Sequence, residues 1–159
     1  MNKKGFSLIE LITVIAILGI LISVLTPALL TSMEESREKA DKVAIENLST
    51  TLHVASQQSV IYKLAQGVVE DTKSDYLIIR YAVNDKTVVF SSCEPSNGRG
   101  ESAEKVERLE QEIQDFINGK IEPIELKSEY YADRDYLFKL TFLDVDFKTN
   151  LEMSMVKRD

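Results

Sequence analysis

Residues 3–30 read KKGFSLIELITVIAILGILISVLTPALL, and this stretch decides the fold of the 159-residue chain. Within its apolar run the one charged side chain is Glu10, and no ionisable group lies between Leu11 and Leu25. About 20 apolar residues at a rise of roughly 1.5 Å each span a bilayer core of about 30 Å. Because lipid offers no hydrogen-bond partners to an exposed backbone, a single segment can cross it only as a helix. The stretch therefore predicts a membrane-spanning helix over residues 6–25.

The flanks of the apolar run predict its orientation and its processing. Lys3 and Lys4 precede it, and the positive-inside rule keeps them cytoplasmic, which sends the C-terminal bulk across the membrane. An ordinary secretory signal has a small-residue cleavage site after its apolar region, and no A-x-A-like site with a clean break follows here. The small residue placed for processing is Gly5, before the run. Cleavage there removes a short basic leader and keeps the helix.

The segment KGFSLIELITVIAILGIL, residues 4–21, closely resembles the class III leader and N-terminal helix of type IV pilins and pseudopilins. The resemblance covers roughly the first 30 residues, and the remaining 129 carry no motif of that family. It implies that prepilin peptidase cleaves between Gly5 and Phe6 and methylates the new amine of Phe6. It also implies a structural filament subunit rather than an enzyme.

Glu10 is costly inside lipid, where insertion scales assign an acidic side chain about 2.5–3.5 kcal/mol at the bilayer centre. In one interpretation it lies close enough to the interface to stay hydrated. In the other, it pairs with the cationic Phe6 amine of a neighbouring subunit. The resemblance favours the second interpretation, in which Phe6 and Glu10 direct subunit assembly.

Two residues weaken the same helix. Gly19 has low helix propensity, and a proline such as Pro27 costs about 3 kcal/mol in a helix interior. Lipid-embedded helices tolerate both residues. The pilin resemblance instead implies that the segment between them unwinds in the filament and permits extension, and both interpretations stay open.

Beyond residue 30 the chain is acidic. Without Lys3, Lys4 and Glu10, the 19 basic and 26 acidic residues fall to 17 and 25. This surplus of about eight negative charges argues against direct nucleic acid binding, because phosphate binding relies on a cationic surface.

Few side chains are available for catalysis or for a disulfide. The chain has one histidine, His53, and one cysteine, Cys93, and it lacks G-x-S-x-G and Gly-rich phosphate-loop motifs, so no enzyme and no cofactor are predicted. A single cysteine departs from the disulfide of many pilins from two-membrane bacteria. Cys93 is predicted to be a small buried residue, and the alternative is a thiol that pairs between subunits.

Two acidic pairs raise the possibility of calcium, which some pseudopilins bind. They are Asp133 with Asp135 and Asp144 with Asp146. Calcium needs several oxygen ligands from a flexible loop. The second pair alternates with apolar residues and is typical of the solvated face of a strand, so no metal site is predicted.

Hydrophobic periodicity predicts that the long helix continues to about residue 64, stops at Gly67, and is followed by a loop over residues 68–75. Small and apolar residues at three- and four-residue spacing form its predicted buried stripe. They are Ala40, Val43, Ala44, Leu48, Thr51, Ala55, Ser59 and Tyr62.

The rest of the chain predicts strands and one inserted short helix. That helix covers residues 102–118, with Ser102 as N-cap and Gly119 as stop. A hairpin is predicted at residues 76–83 and 87–93. An extended run at residues 124–131 and the segments 136–147 and 151–155 are predicted to give two or three further strands, with a β-bulge near Phe142. The fold class is therefore α+β: a long N-terminal helix packed on an antiparallel sheet, as in pilins.

The predicted organisation is a leader at residues 1–5, a membrane and filament-core helix at 6–30, and an exported domain at 31–159. The resemblance implies a subunit of a type IV pilus-like filament whose partners are further copies, prepilin peptidase and a membrane assembly platform. It waits in the membrane with its C-terminal domain outside and then moves to a surface pilus. Two alternatives are a minor pilin or pseudopilin of a type II secretion or competence DNA-uptake apparatus, and a membrane-anchored ligand-binding or sensor protein that never polymerises.

Overall fold

The computed structural model of the chain describes residues 7–142 and 149–157. Its α-helices are α1 (Leu8–Ser56), α2 (Ser59–Thr72), α3 (Ala103–Asn118) and the single turn α4 (Glu129–Ala132). Its strands are β1 (Tyr76–Asn84), β2 (Thr87–Pro95), β3 (Arg134–Phe142) and β4 (Thr149–Lys157). The strands form one antiparallel sheet in the order β2-β1-β3-β4. The predicted α+β class, with a long N-terminal helix and an inserted short helix, is confirmed.

The chain divides into two compact units between Arg37 and Glu38. The described part of the first unit is the beginning of α1, whose large apolar side chains are all exposed, from 47% at Val14 to 76% at Leu8. The second unit contains the end of α1, the other helices and the sheet, and it has one hydrophobic core.

The end of α1 packs into this core through a stripe of larger residues than predicted. Ile45, Leu48, Leu52 and Ala55 are each 1% exposed, whereas Val43 of the predicted stripe is 54% exposed. Leu48 and Ala55 were predicted correctly. Ile45 and Leu52 were missed, and they are buried because large aliphatic side chains remove more apolar area from water than the small residues beside them.

The prediction of one helix to residue 64 was wrong, because α1 ends at Ser56. The N–H of Gln57 donates to the carbonyl of Val54 at 3.2 Å, and that of Gln58 donates to Ala55 at 2.9 Å, which tightens the last turn. Gln58 is extended (φ −68°, ψ 134°), and α2 starts after it. Because of this break, α2 is a separate helix with its own buried apolar face.

The predicted stop at Gly67 and the loop after it were also wrong. Helix α2 runs through Gly67 and ends before Lys73, whose φ of 51° is left-handed. Ile61, Ala65 and Val68 are buried on this helix, which packs against α3. Burial of that face outweighs the low helix propensity of one glycine.

The predicted hairpin is confirmed. Asp85 and Lys86 form its two-residue turn with φ values of 46° and 67°, the conformation that matches strand twist. A bulge lies in β2, where Arg80 pairs with Ser92 but Tyr81 pairs with Phe90. The bulge predicted near Phe142 depends on residues 143–147, which lie outside the described residues.

Of the two or three strands predicted after the inserted helix, the described residues form two, because the extended run at residues 124–131 does not form a strand of the sheet. Glu125 forms one isolated bridge with Thr87, and the turn α4 follows. The physical reason is that the N–H groups of Lys127 and Ser128 donate to the side chain of Asp41. They are therefore not available for hydrogen bonds to a neighbouring strand. The strands predicted after it are confirmed as far as they are described.

The inserted helix α3 buries Val106, Leu109, Ile113 and Ile117, as predicted. Ser102 precedes it, but its side chain makes no cap hydrogen bond and instead donates to Asp71 Oδ2 at 3.2 Å.

Candidate functional site

The first turn of α1 contains a hydrogen bond that sequence analysis missed. The N–H of Ser7 donates to Glu10 Oε2 at 2.9 Å, and the N–H of Glu10 donates to the carbonyl of Ser7 at 3.1 Å. Glu10 thus accepts a hydrogen bond from a backbone N–H group that has no partner within the helix. Its negative charge also interacts favourably with the positive end of the helix dipole. The spacing Ser7-x-x-Glu10 was the signal, since it is that of a capping box.

Two of the predicted site residues, Gly5 and Phe6, lie outside the described residues. They are the predicted cleavage pair, and Phe6 is the predicted methylation residue. Glu10, the other member of the predicted assembly pair, is described and exposed. Its carboxylate lies at the helix end nearest the predicted cleavage point and has one oxygen engaged by Ser7.

The surface of α1 in the first unit is apolar. Its most hydrophobic 18-residue window has a mean hydropathy of 2.8 and is 0% buried, so the helix is long and apolar enough to cross a membrane. The hydroxyls of Thr13, Ser23 and Thr26 donate to backbone carbonyls of the same helix, each at 2.7 Å. These polar side chains are therefore satisfied without water, which lowers their cost in lipid.

Gly19 and Pro27, the residues predicted to give flexibility, both lie inside α1. A Cβ added at Gly19 would meet nothing within 4 Å. The carbonyl of Pro27 accepts a hydrogen bond from Thr31 Oγ1 at 3.1 Å. The helix continues through both positions, and the unwinding of the segment between them stays a prediction.

Asp41 is a second feature that sequence analysis missed. It lies on α1 and is 2% exposed. Its carboxylate accepts the N–H of Lys127 at 2.9 and 3.0 Å, the N–H of Ser128 at 2.7 Å and the hydroxyl of Ser128 at 2.8 Å. We call this set of contacts the Asp41 clamp. It joins the end of α1 to the segment before α4, and its partners lie 86 and 87 residues away, so no local pattern indicates it.

Cys93 is fully buried, with 0% exposure, as predicted. Burial raises the pKa of its thiol to about 12, and the nearby charge of Glu110 adds to this effect. Glu110 Oε1 also accepts the N–H of Cys93 at 2.7 Å and a guanidinium N–H of Arg99 at 2.8 Å. A neutral, enclosed thiol contradicts the alternative of a disulfide between subunits.

The acidic pairs considered for calcium do not converge where they are described. Asp135 Oδ1 accepts the N–H of Val83 at 3.1 Å, which gives it a structural role. Asp144 and Asp146 lie outside the described residues. Across residues 7–142 and 149–157, no group of three or more His, Cys, Asp or Glu side chains could hold a metal ion.

Comparison with known proteins gives a match at the N-terminus. A protein-family model described as the prokaryotic N-terminal methylation motif matches residues 1–26. Curated proteins and solved structures gave no match. Proteins with the matched motif are generally structural rather than enzymatic. The match contains the predicted cleavage pair, Glu10 and Gly19. Residues 1–26 thus carry the class III leader signature of type IV pilins and pseudopilins, and the apolar N-terminal helix fits that signature.

Proposed function

We propose that this chain is a structural subunit of a type IV pilus-like filament that supports adhesion, motility or surface attachment. The observation that carries the proposal is the methylation motif at residues 1–26, together with the beginning of α1, whose large apolar side chains up to residue 37 are all exposed. An apolar surface of that extent needs lipid or other copies of itself to cover it. In the membrane, lipid covers this surface. In a filament, neighbouring copies of the chain cover it.

The proposed life of the subunit has two stages. The precursor is anchored by residues 6–30, with Lys3 and Lys4 in the cytoplasm and residues 31–159 outside. Prepilin peptidase then removes residues 1–5, and the membrane assembly platform moves the subunit into a helical homo-oligomer on the cell surface. The segment between Gly19 and Pro27 is the place where we propose that the helix unwinds in the filament.

Phe6 and Glu10 are the proposed assembly pair. Cleavage after Gly5 creates an amine on Phe6, which methylation leaves cationic. Glu10 uses Oε2 for Ser7, and a carboxylate has about four acceptor positions, so Oε1 can receive the amine of a neighbour. Pairing the two charges removes the cost of leaving either unpaired in a dry filament core.

Processing is tested by the intact mass of the surface protein and by its N-terminal sequence. We expect a chain that starts at Phe6 and carries N-methylation. A chain that starts at Met1, or one cut after the apolar run, contradicts the proposal and favours a membrane-anchored sensor.

The assembly pair is tested by Glu10→Val and Glu10→Gln in a strain without the native copy. Both variants should be inserted and cleaved, since Glu10→Val makes membrane residence easier by up to about 3 kcal/mol. Both should be depleted from sheared filaments, because the incoming amine stays unpaired. Immunoblots of membrane and sheared fractions measure this, with Thr13→Val as a control that removes a polar group but no charge.

Wild-type amounts of Glu10→Val in filaments would contradict the pairing role. Incorporation only beside a wild-type copy would instead indicate a minor pilin or pseudopilin, which its neighbours can carry.

A further inference from the structure

An open groove of about 440 Å³ lies between parts of α2 and α3 in the second unit. It is lined by Lys63, Leu64 and Gly67 from α2 and by Glu104, Lys105 and Arg108 from α3. Three of these six residues are cationic and exposed and one, Glu104, is acidic, although the chain beyond residue 30 has a surplus of acidic residues. We call this set of residues the basic groove.

Two cations of the basic groove are available to an outside partner. Lys105 is engaged, since its Nζ donates to Asp71 Oδ2 and this bond lowers the pKa of the Asp71 carboxyl. Lys63 and Arg108 form no ion pair with any residue that the structure describes. They come from different helices and line the same opening.

Gly67 gives the groove its open floor. It lies inside α2, where glycine costs about 1 kcal/mol relative to alanine. A Cβ at this position would meet nothing within 4 Å, so no neighbour in the described chain requires a glycine. Beside it, Leu64 is half-buried and supplies an apolar wall. A helix glycine without an internal packing reason is consistent with close approach by another molecule.

We propose that the basic groove receives an acidic segment of a second copy of this chain. The inference rests on the proposed function, and charge complementarity carries it. Copies that each bear 25 acidic and 17 basic residues beyond residue 30 repel one another. Close packing in a filament therefore favours cations of one copy facing carboxylates of the next. The groove presents two cations that have no ion pair within the described part of the chain, around a space that a side chain can enter.

The direct test is zero-length cross-linking of sheared filaments with a carbodiimide. The reagent activates a carboxylate, the amine of a contacting lysine attacks it, and an amide forms while the reagent leaves as a urea. We expect a covalent dimer whose linked peptides join Lys63 to an Asp or Glu of another copy. Lys63→Arg is the matched control, because arginine keeps the charge but cannot be coupled, so the filament should remain and that link should disappear.

Charge reversal tests the energetic role. Lys63→Glu with Arg108→Glu should lower the sheared-filament fraction by about tenfold, since attraction becomes like-charge repulsion. Gly67→Leu should lower it by filling the groove. The control Lys86→Glu with Lys120→Glu changes the net charge equally at the hairpin turn and after α3, and it should assemble normally. Cleavage and the membrane pool should be unchanged in all variants.

The inference is overturned if the Lys63 and Arg108 double variant fills filaments like wild type, or if Lys63 couples only within its own chain or to a different protein. Absence of wild-type protein from sheared filaments is a separate result, which overturns the proposed function itself.

Discussion

Asp41 shows how one side chain can hold distant parts of the second unit together. Its buried carboxylate receives three donors, two backbone N–H groups and one hydroxyl. Hydrogen bonds to charged groups contribute about 1.5–3 kcal/mol each, and a buried charge without partners is strongly unfavourable. The clamp is therefore favourable only as a complete set.

We expect Asp41→Asn to lower the free energy of unfolding of the second unit by about 3 kcal/mol, because an amide places its own donor against backbone donors. The single thiol provides the measurement. Cys93 is fully buried, so its alkylation in short pulses along a urea series reports unfolding of this unit in the full-length, detergent-solubilised chain.

Asp133→Asn is the matched control for that experiment, because Asp133 is an exposed aspartate close to the same segment. Its urea midpoint should stay that of wild type. An unchanged midpoint for Asp41→Asn would show that the clamp contributes no net stability.

At the residue scale, what the sequence can predict depends on how far apart the partners lie. The bond between Glu10 and Ser7 spans three residues and follows from a known spacing. The Asp41 clamp spans 86 and 87 residues, and Asp41 stands among charged helix residues like any solvated acid. Pattern reasoning assigns such a residue to the surface, and tertiary structure decides otherwise.

At the scale of elements, α2 makes a prediction about its glycine. Gly67→Ala should stabilise the second unit by about 0.5–1 kcal/mol, because alanine restricts the unfolded chain and its methyl meets nothing within 4 Å. Gly98→Ala should do the opposite, since Gly98 has a φ of 83°, where a Cβ is strained. Urea midpoints from Cys93 labelling compare the two, and equal shifts would contradict this account.

Elements whose ends are marked by turn-forming residues were predictable from the sequence. Elements whose ends depend on tertiary packing were not. The hairpin follows from two β-branched runs around a short polar turn. The break between α1 and α2 falls at Gln57 and Gln58, two residues that favour helix. The new helix places Ile61, Ala65 and Val68 in the core, and one-dimensional periodicity does not contain that packing.

At the scale of the whole molecule, the two units differ in how much of their apolar surface is exposed. The large apolar side chains of the described first unit are exposed, whereas those of the second unit mostly share one core. A fragment of residues 31–159 should therefore fold as a soluble monomer. Size-exclusion chromatography and near-ultraviolet circular dichroism test this.

The reference for that fragment is the full-length chain, which should need detergent. An insoluble fragment, or a soluble one without fixed tertiary signals, would show that residues before 31 belong to the folded domain.

The Asp41 clamp also constrains the order in which the chain can fold. Ribosomes deliver Asp41 long before Lys127 and Ser128, so a growing chain holds the acid without its donors while 86 further residues are made. Closing a loop of that length costs entropy before any contact forms, and the strand β3 that completes the core arrives later still. Folding of the second unit is thus a late event, and a nascent chain stays loosely structured until its last quarter has emerged.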